Sequence, residues 1–393
     1  MRRLQLSREG LEWRRAEWNL GWAEHELSAS PFQSIHDNRL NWLLAFVPVS
    51  LAAEVIGFPR LWVFVTSALA IVPLAGLIGE ATEALASRVG PGVGGLLNAT
   101  FGNATELIIS LFALRAGLFA VVKASITGSI IGNTLLVLGL SMLVGGWGRE
   151  KQYFSRTHAG ASASMLFLAV VALVMPAVFD LAVYGSLEPT PKLINTLSFF
   201  VAGILILTYI ASLVFSLRTH RDVFTAELDS PLAEPIVTTL STRAAGALLL
   251  VATLITALES ELLVGAIAEA TRALGITEFF VGVVIVAIVG NAAEHFTAVV
   301  VARRNQMDLA VAIATGSSTQ IALLVAPVLV FASVIFGQPM SLVFNPFEIV
   351  GITLSVLALW VVSLDGESTW FEGFQLIAVY LVLAIVFFFV PGP

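Results

Sequence analysis

The sequence predicts an all-α integral membrane protein with eleven transmembrane helices, arranged as one N-terminal helix followed by two inverted five-helix repeats. Three observations lead to this fold class. Of the 393 residues, 58% are hydrophobic and only 12% are charged, with a mean hydropathy of +0.92, which is too apolar for an ordinary soluble domain. Eleven apolar runs are long enough to cross a bilayer, and two parts of the chain repeat each other.

The elements follow in order from the distribution of apolar residues. Segment 1–40 is predicted to be a cytoplasmic tail, because it carries six Arg and no apolar core. A peripheral first transmembrane helix takes 41–60, the first repeat 61–217, a cytoplasmic linker 218–243 and the second repeat 244–393. Each apolar run is predicted to be a helix, because backbone groups in hydrocarbon need internal hydrogen-bond partners. The runs cover 41–57, 61–86, 94–115, 121–147, 159–180, 193–217, 244–272, 277–302, 308–336, 346–364 and 372–390.

The distribution of positive charge sets the predicted orientation. If the N-terminus is cytoplasmic, 15 of the 20 Lys and Arg residues fall on the cytoplasmic side and five on the other. Short cytoplasmic loops carry such an excess of positive residues. With an odd number of helices, Pro393 is then expected on the opposite side of the membrane from the tail.

Two segments of the chain share a motif and a register. GNATE at 102–106 and GNAAE at 290–294 match at four of five positions and lie 188 residues apart. The same offset superposes TGS at 127–129 on TGS at 315–317, without an insertion. Each copy contains five predicted helices, so the two copies enter the bilayer from opposite faces. This is the inverted-repeat architecture of many secondary transporters.

Each repeat places a carboxylate where lipid is expected. A charged side chain at the centre of a membrane helix costs about 2.5 to 3.5 kcal/mol, so such residues are functional by default. Glu106 and Glu294 lie at equivalent depth in the third and eighth runs, each three residues after an asparagine, Asn103 and Asn291. Asn98, Gly102 and Glu106 follow one another at intervals of four residues. This spacing predicts one polar face along a continuous third helix.

Neutral oxygens accompany these two carboxylates. Candidate ligands from the neighbouring predicted helices are Asn98, Ser129, Ser317 and Gln320. Two carboxylates with several amide and hydroxyl oxygens suit a hard divalent cation, since Ca²⁺ takes six to eight oxygen ligands and tolerates irregular geometry. Glu106 and Glu294 are therefore the predicted metal ligands, and Ca²⁺ is a transported ion here, with no cofactor expected.

Other polar residues are candidates for an access route. They are Glu80, Glu83, Glu261, Glu269 and His295. The glutamates are equally well explained as interfacial salt-bridge partners of Arg88 or Arg272. His295 follows Glu294 directly and is suited to relaying protons, because an imidazole titrates near neutral pH; a packed core histidine is the competing interpretation.

Composition excludes several classes of function. The net charge of −7 and the absence of a long basic run argue against nucleic acid as a partner. The chain contains no cysteine, so neither disulfides nor thiolate metal sites are possible. It shows no HExxH helix, Asp pair or GxSG serine inside a predicted span, so an intramembrane hydrolase is not supported and no enzymatic activity is expected.

These motifs resemble the calcium/proton antiporter branch of the calcium:cation antiporter superfamily, over about residues 41–390. GNATEL at 102–107 and GNAAEH at 290–295 look like its paired repeat signatures, and GSSTQ at 316–320 looks like its ninth-helix motif. The resemblance implies exchange of Ca²⁺ for H⁺, direct roles for Glu106 and Glu294, and gating by movement of the second and seventh helices. The compact length resembles bacterial members, which implies a location in the inner, or plasma, membrane.

Two transport alternatives remain open at this stage. Exchange of Ca²⁺ for Na⁺ or K⁺ is less favoured, because such relatives usually carry an Asp where this sequence has Asn103-Ala104 and Asn291-Ala292. A cation channel fits the inverted helices and the paired charges less well than alternating access does. The sequence predicts the lipid bilayer, Ca²⁺ and H⁺ as partners and leaves the oligomeric state open.

Overall fold

Apolar runs with few helix-breaking residues form long helices in this chain. The computed structural model describes residues 39–89, 91–185, 192–219 and 240–391. Most of the predicted tail and most of the predicted linker therefore lie outside the described residues. The fold within the described ranges is that of an all-α membrane protein, with one two-residue strand pair, β1 (Gln152–Tyr153) and β2 (Glu367–Ser368).

Thirteen helical segments occupy the described residues, and their bounds follow the apolar runs closely. They are α1 (Leu40–Ile56), α2 (Arg60–Val89), α3 (Pro91–Phe101), α4 (Ala104–Arg115), α5 (Phe119–Gly146), α6 (Arg156–Tyr184), α7 (Lys192–Thr219), α8 (Thr242–Leu274), α9 (Glu278–Gly290), α10 (Ala292–Arg303), α11 (Met307–Ile335), α12 (Pro346–Val362) and α13 (Trp370–Phe389). Seven of these are long and apolar enough to cross a membrane, and α9 with α10 makes an eighth if the bent pair is one crossing. The count of eleven crossings stays a prediction.

The prediction of a continuous third helix is wrong. The run breaks into α3 and α4 at Gly102 and Asn103, whose backbone forms a turn. The equivalent run in the second half bends by 59° between α9 and α10, at Asn291. Membrane helices tolerate such breaks only where other groups satisfy the freed backbone and side chains. Here both asparagines are buried and bond to neighbouring helices.

Loops that the sequence assigns to one side of the membrane meet in the structure. The loop after α5 pairs with the loop after α12 through β1 and β2, and Gln152 donates to Asn305 Oδ1 at 2.9 Å. At the other end of the molecule, Lys123 at the start of α5 donates to the Val343 carbonyl at 2.7 Å. Both groupings agree with the predicted alternation of the chain between two faces.

The long helices α2 and α8, called the two central helices because both adjoin the broken helices, pack against each other. In addition, α2 contacts α10 and α8 contacts α4. The contact between α2 and α8 is lined by small and aliphatic residues, among them Ile78 and Ala81 of α2 and Ala252 of α8. The helices α5 and α11 each contain a π-helical turn, at Gly132–Val137 and Ile321–Val325. These turns end 188 residues apart, which is the offset of the sequence repeat. Turns of this kind are frequent at functional sites.

Candidate ion-binding site

The two helix breaks bring the predicted carboxylates to helix N-termini. Asn103 immediately precedes α4 and Glu106 lies in its first turn, while Asn291 and Glu294 hold the same positions at the start of α10. Helix N-termini favour negative charge because their backbone dipoles point positive ends outward. The GNxxE motif therefore encodes a break followed by an acidic first turn.

Side chains from opposite repeats hold the breaks in place. Asn103 Nδ2 donates to Gln320 Oε1 at 2.6 Å, and Ser317 Oγ donates to Asn103 Oδ1 at 3.0 Å. Asn291 Nδ2 in turn donates to Ser129 Oγ at 2.9 Å. The Asn103–Ser317 and Asn291–Ser129 pairs are equivalent under the 188-residue offset, so each asparagine is bonded to the serine of the other repeat.

Asn133 is a further member of this network that the predicted site did not include. Its Nδ2 donates to Ser317 Oγ at 3.0 Å, and its Oδ1 lies 3.1 Å from His295 Nε2. The signal was present in the sequence, because Asn133 follows Ser129 by four residues on α5 and so shares its helix face. His295 is thus built into the network by a hydrogen bond, and the proton-relay role stays a prediction.

The carboxylates converge beside this network and are short of hydrogen-bond donors. Glu106 is 4% exposed, and neither of its oxygens has a hydrogen-bond partner; the same holds for Glu294 Oε2. The two residues lie close enough for the charge of Glu294 to act on Glu106. Gly290 packs directly against the Glu106 side chain.

Unpartnered buried carboxylate oxygens define what this site can do. Burying an ionised carboxylate without a counter-charge is very costly, so the group must bind a cation or take up a proton. The described residues contain no cluster of three or more His, Cys, Asp or Glu side chains suited to a metal. The site offers two carboxylates with amide and hydroxyl oxygens, a set suited to a hard cation.

One predicted ligand does not join the site. Asn98 lies on α3 with its side chain exposed, and its backbone carbonyl accepts from the Gly102 amide at 2.9 Å. The spacing of four predicts a shared face with Glu106, but Asn98 is exposed whereas Glu106 is buried, and the helix is interrupted between them. The structure does not bring Asn98 to Glu106, and its role as a ligand stays a prediction.

The predicted access glutamates sit on the two central helices. Glu83, Glu261 and Glu269 are exposed in the described structure, and Glu80 is half-buried. The arginines proposed as their alternative partners bond to backbone carbonyls: Arg88 to Leu240 and Arg272 to Ala268. A role for these glutamates in ion access stays a prediction.

A protein-family model and several known proteins match most of this chain. The family model described as "Sodium/calcium exchanger protein" matches residues 60–218 and 244–389. A Ca²⁺/H⁺ antiporter from Aphanothece halophytica is 47% identical over 360 residues, covering 89% of this chain and 96% of the relative. The Ca²⁺/H⁺ antiporter ChaA from Bacillus subtilis is 44% identical over 354 residues, covering 89% of this chain and 99% of the relative.

Solved structures agree with the sequence matches. Native YfkE superposes with a TM-score of 0.77 at 41% identity, covering 89% of this chain and 100% of that one. An H⁺/Ca²⁺ exchanger, CAX, shares the fold with a TM-score of 0.66 at 17% identity, covering 89% of this chain and 91% of that one. The family model spans more than half of the chain, on either side of the predicted linker, and the chain therefore belongs to the sodium/calcium exchanger protein family.

Proposed function

We propose that this protein exchanges Ca²⁺ for H⁺ across a lipid bilayer, as a secondary active transporter that works by alternating access. The names of the 44% and 47% identical relatives, both Ca²⁺/H⁺ antiporters, support this activity. The observation that carries the proposal is the convergence of Glu106 and Glu294, with three buried oxygens lacking hydrogen-bond partners, at two broken helices.

The site chemistry favours Ca²⁺ as the cargo. Two carboxylates balance the charge of the ion, while the amide oxygens of Asn103 and Asn291 and the hydroxyls of Ser129 and Ser317 supply neutral ligands. Gln320 holds Asn103 in place through its 2.6 Å hydrogen bond. The cysteine-free chain supplies no thiolate for a softer metal.

The same carboxylates explain the coupling to protons. When Ca²⁺ leaves, two nearby carboxylates in a poorly hydrated site repel each other, and at least one binds a proton. Protons and Ca²⁺ therefore occupy the site alternately. The charge of the site stays nearly constant through the cycle, which is the condition for both loaded forms to change orientation.

The proposed architecture is one peripheral helix and two inverted five-helix repeats, with eleven crossings, a cytoplasmic N-terminus and a location in the plasma membrane. The equivalent π-helical turns in α5 and α11 and the equivalent Asn–Ser pairs support the repeat. Glu80, Glu83, Glu261 and Glu269 lie on α2 and α8, where they would line the route to the site. The chemistry is ion movement, with no bond made or broken in a substrate.

Purified protein in proteoliposomes tests the proposal. An imposed pH gradient should drive Ca²⁺ uptake in buffer free of Na⁺ and K⁺, and Ca²⁺ addition should release protons from the interior. Glu106→Gln and Glu294→Gln should each abolish both fluxes, because an amide keeps the shape of the side chain but neither balances Ca²⁺ nor titrates. Glu150→Gln, which changes an exposed loop carboxylate, is the matched control and should transport normally.

Three outcomes would contradict the proposal. A strict requirement for Na⁺ or K⁺ without proton movement would replace the counter-ion and leave the site intact. Normal transport by either glutamine variant would remove that residue from the site. Ca²⁺ flux that proceeds without counterflow of any ion would indicate a channel instead of an exchanger.

A further inference from the structure

A third carboxylate is buried in the middle of α8, apart from the ion site. Glu259 is 0% exposed, and its Oε1 lies 2.7 Å from Ser50 Oγ of α1. Its other oxygen, Oε2, has no hydrogen-bond partner. The hydrogen bonds that join the asparagines, serines and His295 of the ion site do not reach this residue. Glu259 thus connects the helix outside the repeats with one of the two central helices.

The contacts of Ser50 determine the protonation state of Glu259. Ser50 Oγ also lies 2.8 Å from the Val47 carbonyl, one turn earlier in α1. A carbonyl and an ionised carboxylate only accept hydrogen bonds, whereas a serine hydroxyl has a single hydrogen to donate. Both contacts are satisfied together only when Ser50 donates to Val47 and Glu259 carries a proton that it donates to Ser50.

The surroundings of Glu259 contain hydroxyls and no counter-charge. Ser67 of α2 lies beside the carboxyl, and the hydroxyls of Ser67, Thr253 and Thr256 have no hydrogen-bond partner. Other membrane threonines, such as Thr315, donate to the carbonyl four residues earlier. Thr253 and Thr256 therefore keep unused hydrogen-bonding capacity on α8, within two helical turns of Glu259.

Charged groups on the adjoining helices do not supply a partner. Neither ion pair found among the described residues includes Glu259. Glu54 and Arg60 form an ion pair with each other. The charged residues of α1, α2, α4, α8 and the start of α9 are Glu54, Arg60, Glu80, Glu83, Arg88, Glu106, Arg115, Arg243, Glu261, Glu269, Arg272 and Glu278.

We propose that Glu259 is a proton-binding site separate from the ion site, and that its bound proton fastens α1 to α8. The ligand is H⁺. It converts the Glu259 carboxylate to a neutral carboxylic acid, whose O–H donates to Ser50. Loss of that proton leaves an ionised carboxylate in an apolar interior, facing a hydroxyl already committed to Val47. Alkaline pH therefore weakens the docking of α1 on α8. This inference holds whichever ion the protein transports.

Infrared spectroscopy of the full-length protein in lipid nanodiscs tests the site directly. The wild-type spectrum minus that of Glu259→Gln should contain the carbonyl band of one protonated carboxylic acid at neutral pH. Glu261→Gln, which changes an exposed carboxylate two residues away, is the matched control and should leave that band in place. Ser50→Ala should keep the band but shift its frequency, because the acceptor of the O–H is removed.

Thermal stability gives a second readout. A proton bound more tightly in the folded protein than in the unfolded chain stabilises the fold at low pH, and this contribution is lost as pH rises. Wild type and Glu261→Gln should therefore lose melting temperature toward alkaline pH more steeply than Glu259→Gln, whose amide stays neutral. Absence of the acid band from the wild-type minus Glu259→Gln difference spectrum overturns the proposal. Parallel pH profiles for all three proteins also overturn it.

Discussion

Replacement of Gly290 by alanine tests how closely the ion site is packed. Gly290 is the last residue of α9, and a Cβ atom built on it would lie 3.0 Å from Cγ and 3.4 Å from Oε1 of Glu106. Carbon atoms in favourable contact are about 3.5 to 4.0 Å apart, so the Glu106 side chain must retreat by about 0.5 Å. Protein Ca²⁺–oxygen distances span only about 2.3 to 2.6 Å.

A displacement larger than that span weakens one carboxylate contact without removing the charge. We expect Gly290→Ala to lower Ca²⁺ affinity about tenfold, which corresponds to about 1.4 kcal/mol. Gly316 provides the matched control, because it precedes Ser317 on α11 and a Cβ there would meet nothing within 4 Å. Gly316→Ala should bind Ca²⁺ as the wild type does.

Equilibrium binding of radiolabelled Ca²⁺ to the purified proteins measures the effect, with the Michaelis constant for uptake as a second readout. Wild-type affinity in Gly290→Ala would refute the packing argument. An equal loss in Gly316→Ala would attribute the effect to general distortion of the helices.

Three further predictions concern orientation, pH and a surface ion pair. Cysteines introduced singly at residue 230 and at Pro393 should be labelled by impermeant reagents from opposite sides of the membrane. Labelling of both from one side would refute an odd number of crossings between these two positions. Acidifying the side from which Ca²⁺ enters should raise the Ca²⁺ concentration needed for half-maximal uptake, because protons and Ca²⁺ compete for the same carboxylates; an unchanged value would separate the two sites. The hydrogen bond from Lys151 to Glu367 raises the pKa of the Lys151 amine, so amine-reactive labelling of Lys151 at alkaline pH, followed by mass spectrometry, should be faster in Glu367→Gln; equal rates would contradict this.

Helix positions were predictable from the sequence because a membrane helix must bury its own backbone polar groups along an apolar run. The paired acidic motifs were also readable, since a buried carboxylate is rare enough to stand out. The break after Gly102 could not be predicted, because Asn98, Gly102 and Glu106 fit a continuous helix equally well. What stabilises the break is a set of bonds to Ser317 and Gln320, more than 200 residues away in the chain.

Contacts outside the repeated motifs could not be predicted either, because they too join residues that are distant in the sequence. Asn133 and Ser129 follow a visible helical spacing, but their partners Ser317 and Asn291 depend on how the two repeats meet. Nothing local to Ser50 indicates that it faces Glu259, which is 209 residues later. A sequence repeat predicts which residues are equivalent, whereas contacts with a helix outside the repeat have no counterpart from which to infer them.

The exchange of hydrogen bonds between repeats also governs when the site can form during synthesis. Asn103 pairs with Gln320, 217 residues downstream, and Asn291 with Ser129, 162 residues upstream. The first half of the chain must therefore enter the membrane with Asn103 lacking its partners on α11. Its amide depends on lipid headgroups, water or the insertion machinery until α11 is made. The growing chain consequently holds no ion site, and ion-binding capacity arises in one late step, when the second repeat docks on the first.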